Sequence, residues 1–146
     1  MSSRIDTVER SLAIMLLKAR ETVMQRFRPM LKQHGLSEQQ WRVLRVLNEQ
    51  GASEPTNVAR EAVILMPSLT RILAALEERQ LISRSRHPGD GRRQIARLTD
   101  NGQHVIAEIT PASIAIYAGL EQDFGAEDTH QLMQALRRLA RLQTPQ

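Results

Sequence analysis

The spacing of apolar residues changes character once along this chain. Up to Leu81, and again after Thr99, apolar side chains recur at three- and four-residue steps, the period of a helix with one buried face. Between Ile82 and Leu98 that pattern stops: Ile82 to Arg86 and Gln94 to Leu98 read as two short strands, and the stretch between them, His87-Pro88-Gly89-Asp90-Gly91-Arg92, is rich in turn formers. One hairpin among helices is all the β-structure this pattern permits. The expected class is mainly α with a small β-hairpin, the hairpin carrying a long tip.

Helix starts and stops divide the rest. Asp6, with Glu9 at the capping-box position, opens a first helix whose apolar face is Leu12, Met15, Ala19, Val23, Phe27 and Met30, and Pro29 is expected to kink it near its end. Ser37-Glu38-Gln39-Gln40 is a second capping box, before a helix that buries Trp41, Leu44 and Leu47 and ends at Gly51. A short third helix starts at Ser53 or Glu54 and buries Val58, Ala59 and Ala62. Pro67-Ser68 starts a fourth, running to about Gln80, with Leu69, Ile72, Leu73 and Leu76 inward and Ser68, Thr70, Arg71 and Ala74 towards the other side. Thr99 caps a fifth helix running to about Phe124, in which Pro111 predicts a kink or break. Glu127 to Leu142 forms the sixth, with Leu132, Met133, Leu136, Leu139 and Leu142 in a stripe. No linker divides the chain, so residues 1–146 read as one domain.

Composition narrows the chemistry. Without cysteine there is no disulfide framework, thiolate zinc site or cysteine redox switch. No apolar run reaches the roughly 20 residues that span a membrane, and the polar start is no signal peptide, so a soluble, cytoplasmic protein is expected. The formal charge is +4, and all the cations but Lys18 and Lys32 are arginines, the side chain that bonds phosphate and guanine edges two-handed. Aromatic residues are too few for the stacking platform of a single-strand binder.

The third and fourth helices make a helix-turn-helix candidate, with Pro67, Ser68, Thr70 and Arg71 at the end that would enter the major groove. A serine there is equally a helix cap, and Arg71 equally a solvated charge. The following hairpin favours DNA: Arg84, Arg86, Arg92, Arg93 and Arg97 stand on it with a single acid, Asp90, an electrostatic footprint for a phosphate backbone. An arginine at a ribbon tip also suits a narrow minor groove, and Asp90, two residues before Arg92, can hold its guanidinium. The result is a winged helix-turn-helix lobe over about 37–99. The apolar stripes at both ends have little else to pack against in so small a domain, so helices at about 6–34 and 100–142 are expected to build a homodimer. Two-fold symmetry would match a palindromic DNA operator.

Leu36-Ser37-Glu38-Gln39-Gln40-Trp41-Arg42-Val43-Leu44 resembles the second helix of the MarR family of regulators. Asp90-Gly91-Arg92-Arg93 followed by Leu98-Thr99 resembles that family's wing signature, and the likeness runs from about Ser11 to Leu142. Ala62-Val63-Ile64-Leu65-Met66-Pro67-Ser68-Leu69-Thr70, with Lys18-Ala19-Arg20-Glu21 and Phe27-Arg28-Pro29, is similar to a subgroup that regulates homoprotocatechuate degradation operons. The resemblance implies a triangular dimer joined through the first, fifth and sixth helices. It implies operator recognition by Ser68, Thr70 and Arg71, and a minor-groove contact by Arg92 supported by Asp90. It further implies repression relieved by a small aromatic carboxylate bound between the dimer helices and the DNA lobe. Arg20, Arg28, Trp41 and Arg45 are the candidates there, arginine for a carboxylate and indole for a ring; a core indole and surface ion pairs are the plainer alternative. Two positions depart from the pattern: Gln80 stands where a glycine is usual, and Pro111 lies within the fifth helix.

No cofactor or metal site is expected, since His34, His87, His104 and His130 show no ligand spacing and neither a nucleophile elbow nor a phosphate loop is present. The rival readings are a DNA-binding regulator without an effector, an enzyme whose site is assembled from distant residues, and a double-stranded RNA binder.

Overall fold

The computed structural model describes residues 11–143. Its elements are α1 (Leu12–Gln33), α2 (Glu38–Gln50), α3 (Pro55–Ala62), α4 (Met66–Glu78), β1 (Ile82–His87), β2 (Asp90–Leu98), α5 (Asp100–Phe124) and α6 (Ala126–Ala140). The expected Asp6 cap and its partner Glu9 lie outside the described residues; within them α1 is capped by Ser11, whose hydroxyl accepts from the Ile14 N–H.

Local chemistry explains the boundaries. Ser37 and Gln40 satisfy each other's backbone N–H groups at the start of α2, and the Thr99 hydroxyl accepts the Gly102 N–H at the start of α5. The inward faces of α2, α3 and α4 interlock around Val43, Leu44, Leu47, Val58, Leu69, Leu73 and Leu76, all buried. Phe27, Met30 and Leu31 from α1 and Ile106 and Ile109 from α5 complete this core. Gly102 is where α5 crosses closest to the start of the hairpin: a Cβ there would stand 2.1 Å from the Leu81 carbonyl oxygen.

The hairpin differs from expectation at its tip. Regular pairing joins Ile82–Arg86 to Gln94–Leu98, but His87 then pairs with Asp90, so only Pro88-Gly89 turns and Gly91, Arg92 and Arg93 bulge from β2. The His87 imidazole Nδ1 accepts the Gly89 N–H and tightens the turn. A third strand-like contact was not foreseen: Ser53 and Ala96 exchange backbone hydrogen bonds of 2.9 and 2.8 Å, fixing the hairpin to the α2–α3 connection.

The break expected at Pro111 is absent; α5 runs unbroken from Asp100 to Phe124. Proline removes one N–H, and the carbonyl this frees belongs to Ala107, an exposed residue at which solvent can replace the lost bond. Ile106 and Ile109 before the proline and Ile116 after it pack on the core and keep both halves helical. Likewise α1 continues past Pro29 to Gln33.

The terminal helices show what a single chain leaves uncovered. Leu12, Met15, Leu16 and Leu17 on α1, Ile114, Tyr117 and Phe124 on α5, and Leu132, Met133 and Leu139 on α6 are all exposed, and α6 has no buried residue.

Candidate nucleic-acid interface and hinge site

Pro67, Ser68, Thr70 and Arg71 stand on the first turns of α4, whose opposite face is locked into the core through Leu69, Ile72 and Leu73. The helix therefore cannot rotate to bury them. Pro67, Thr70 and Arg71 are exposed and Ser68 half-buried. The Thr70 hydroxyl donates to the Met66 carbonyl at 3.0 Å, which leaves its oxygen as an acceptor.

The arginines of the hairpin divide into two kinds. Arg84 is half-buried and paired with Glu77 at 2.9 Å, which ties β1 to α4. Arg93 pairs with Glu54, at the mouth of α3. Arg86, Arg92 and Arg97 are exposed and face no carboxylate at ion-pair distance among the described residues, and the same is true of Arg71. Asp90 does not grip the Arg92 guanidinium as expected. Its carboxylate accepts the Arg92 backbone N–H at 3.0 Å and so shapes the bulge that presents the side chain. Paired Arg84 and Arg93 are thus interspersed along the hairpin with unpaired Arg97, Arg86 and Arg92, and the unpaired three can lay mobile cations along a phosphate backbone.

A second constellation lies where α1 meets α2. Glu38 accepts from Arg20 at 2.8 Å and from Arg28, and Arg28 also bonds both carboxylate oxygens of Glu21, one of them at 2.7 Å. Burial raises the Glu38 carboxyl, but the hydrogen bonds from Arg20 and Arg28 outweigh it and hold the group below its usual range. The hydrogen bond from Arg28 likewise lowers Glu21. One turn along α2, Arg42 is half-buried, and its Nε is buried with no partner. Burial and then the Arg20 charge push Arg42 down from its ordinary value. Arg20 and Arg28 thus bind two carboxylates, Glu21 and Glu38, and Arg42, unpaired, lies within reach of the Arg20 and Glu38 charges.

Trp41 stands next to Arg42 but is core, 6% exposed. Arg45 points outward and pairs with Glu49 one turn on, apart from the cluster. Phe27 of α1 meets Tyr117 of α5 with ring centroids 4.8 Å apart, Phe27 buried and Tyr117 exposed. Glu38, Arg42 and Tyr117 were not singled out in the sequence. The signal for Arg42 was its place four residues after Glu38, on the same helical face.

The clasp gives a pH expectation. A carboxyl held low in the folded state stabilises it above the unfolded value of about 4.3, and that stability is lost as pH falls through the folded value. Thermal melts followed by circular dichroism should show the unmodified protein losing more stability between pH 5 and pH 3 than Glu38→Gln does. Equal acid losses would remove Glu38 from the account.

Comparison with known proteins gives one consistent picture. Residues 36–94 match the model of the MarR family. The chain is 40% identical over 126 residues to the homoprotocatechuate degradative operon repressor of Escherichia coli, covering 86% of this chain and 85% of that one. It is 38% identical over 133 residues to the HTH-type transcriptional regulator FarR of Neisseria gonorrhoeae, covering 91% of each. The solved structure of NadR in complex with 4-hydroxyphenylacetate superposes with a TM-score of 0.82 at 38% identity, covering 89% of this chain and 95% of that one.

Proposed function

The chain belongs to the MarR family, and we propose that it is a transcriptional repressor whose grip on operator DNA is released by a small aromatic carboxylate. Regulators of this family act on DNA as dimers. In this reading the lobe at about 37–99 binds DNA, and the helices at about 6–34 and 100–142 pair two copies. Pro67, Ser68, Thr70 and Arg71 enter the major groove, and Arg86 and Arg92 lie along the backbone and the minor groove. Asp90 shapes the wing, while Arg84 and Arg93 set its angle. No helix among the described residues is long and apolar enough to cross a membrane. We read the protein as cytoplasmic, where its DNA is, and as a regulator without catalysis of its own, in keeping with the relatives' names.

The observation that carries the effector reading is the unbalanced cation at the hinge. An orphaned Nε and three guanidiniums against two carboxylates leave one positive charge unmatched, which a further anion would balance. A carboxylate supplies it through charge-assisted hydrogen bonds. NadR was solved with such a molecule, 4-hydroxyphenylacetate. Arg20 and Arg28 belong to this pocket in our reading; Arg45 joins it only by leaving Glu49. The pocket joins α1 to α2, so a ligand there can reset the spacing of the two recognition helices, by as much as it prefers the non-binding spacing.

Calorimetry with hydroxyphenylacetates, benzoates and cinnamates, with and without operator, tests this. One of them should bind below the millimolar range and bind less well on the operator complex, because coupling is reciprocal. Arg42→Ala should weaken it about tenfold, the value of one charged hydrogen bond. No binding across the panel would favour a regulator without a small-molecule effector. Binding that ignores operator would make the molecule a ligand and not an inducer.

A further inference from the structure

Two local rules break in succession at the turn between α3 and α4. Val63 ends α3 in the left-handed region, at φ 57 and ψ 57. The bonds that close the helix there, from the Val63 N–H to the Arg60 carbonyl and from Ile64 to Ala59, suit glycine best; a β-branched side chain is strained in that conformation. Two residues on, Leu65 is the N-cap of α4 and makes no side-chain hydrogen bond. Ser11, Ser37 and Thr99 cap α1, α2 and α5, whereas α4, like α3 and α6, has no side-chain cap; only in α4 is the uncapped position filled by a large apolar side chain. Both departures expose large apolar side chains: Val63 is 80% and Leu65 79% accessible, while Ile64 between them is buried and pins the turn. Stability given up at adjacent positions with no local return marks a functional surface.

The occupant follows from position. The uncovered apolar face that fits a second copy lies on α1, α5 and α6, not on this turn. Leu65 instead adjoins Met66 and Pro67, the first residues of the helix whose exposed side carries Thr70 and Arg71. In the major groove of B-DNA the one apolar feature of the base edges is the 5-methyl group of thymine. We propose that Leu65, with Val63 beside it, packs against thymine methyl groups, so that the operator carries a thymine opposite each copy of this turn. The inference rests on the DNA-binding reading above and adds the base that the turn selects.

The test begins with duplexes enriched from a random pool by the intact protein. Each thymine of the enriched operator is replaced singly by deoxyuridine, which lacks only the methyl, and affinity is read by fluorescence anisotropy. Loss of the methyl at one position per half-site should weaken binding about fourfold, the worth of one buried methyl-sized group. Leu65→Ala should bind the thymine and deoxyuridine operators equally. Leu65→Ser should melt a few degrees higher, because it restores a cap, yet lose the same methyl preference. Enrichment of an operator indifferent to every methyl, or a Leu65→Ala protein that keeps full sensitivity, would overturn this inference and leave the DNA-binding reading intact. Failure to enrich any duplex would overturn both.

Discussion

Leu132→Asp should turn the protein into a folded monomer that no longer binds its operator at concentrations that saturate the parent. Leu132 is exposed in the single chain, and α6 buries nothing within its own chain, so a charge there costs the monomer little. In a two-fold dimer the same substitution appears twice at the seam and buries two uncompensated carboxylates. At about 3 kcal/mol each, the dimer dissociation constant rises on the order of 10⁴-fold. A monomer presents one recognition helix and one wing and loses the half-site pairing on which specific binding depends. Sedimentation with parallel circular dichroism decides it; a dimer that survives the substitution would place the interface elsewhere.

Arg92→Ala should produce the second largest effect. Arg92 bulges from the start of β2, exposed and without a carboxylate partner among the described residues, its backbone held by Asp90. Loss of a good contact costs about 1–3 kcal/mol at each of two wings, so operator affinity should fall about a hundredfold or more, with a shallower dependence on salt. Asp90→Ala should cost less, because it only shapes the bulge. Arg84→Ala should shift the wing by freeing it from Glu77, and so alter the preferred half-site spacing more than the salt slope. Anisotropy across a salt series separates these outcomes. An Arg92→Ala protein indistinguishable from the parent would show that the hairpin is no DNA-binding wing.

Much of this architecture was legible because its signals are local. The Ser37–Gln40 box, the Thr99 cap and the inward face of α4 each depend on residues three or four apart, and the hairpin follows from the turn-rich segment between its strands. What escaped the sequence depends on partners far along the chain or on rules being broken. Ser53 meets Ala96, Glu54 meets Arg93, and Gly102 meets the Leu81 carbonyl only after folding. Val63 and Gln80 both sit at positive φ, at 57° and 61°, where propensity would place glycine. The structure thus accounts for the Gln80 departure: Gln80 takes the glycine's conformation, and Leu81 still bonds back to Leu76. At the hinge, arginine content suggested an anion site, but nothing local to Arg42 announced that its Nε would be left without a partner.

On this reading two copies of the chain grip one face of duplex DNA. Hydroxyl-radical footprinting on an operator enriched by the protein tests it most directly. Two protected half-sites about 10 base pairs apart, related by a dyad, are expected, with flanking minor-groove protection that disappears in Arg92→Ala. A single unpaired half-site, or protection unchanged in that variant, would contradict it.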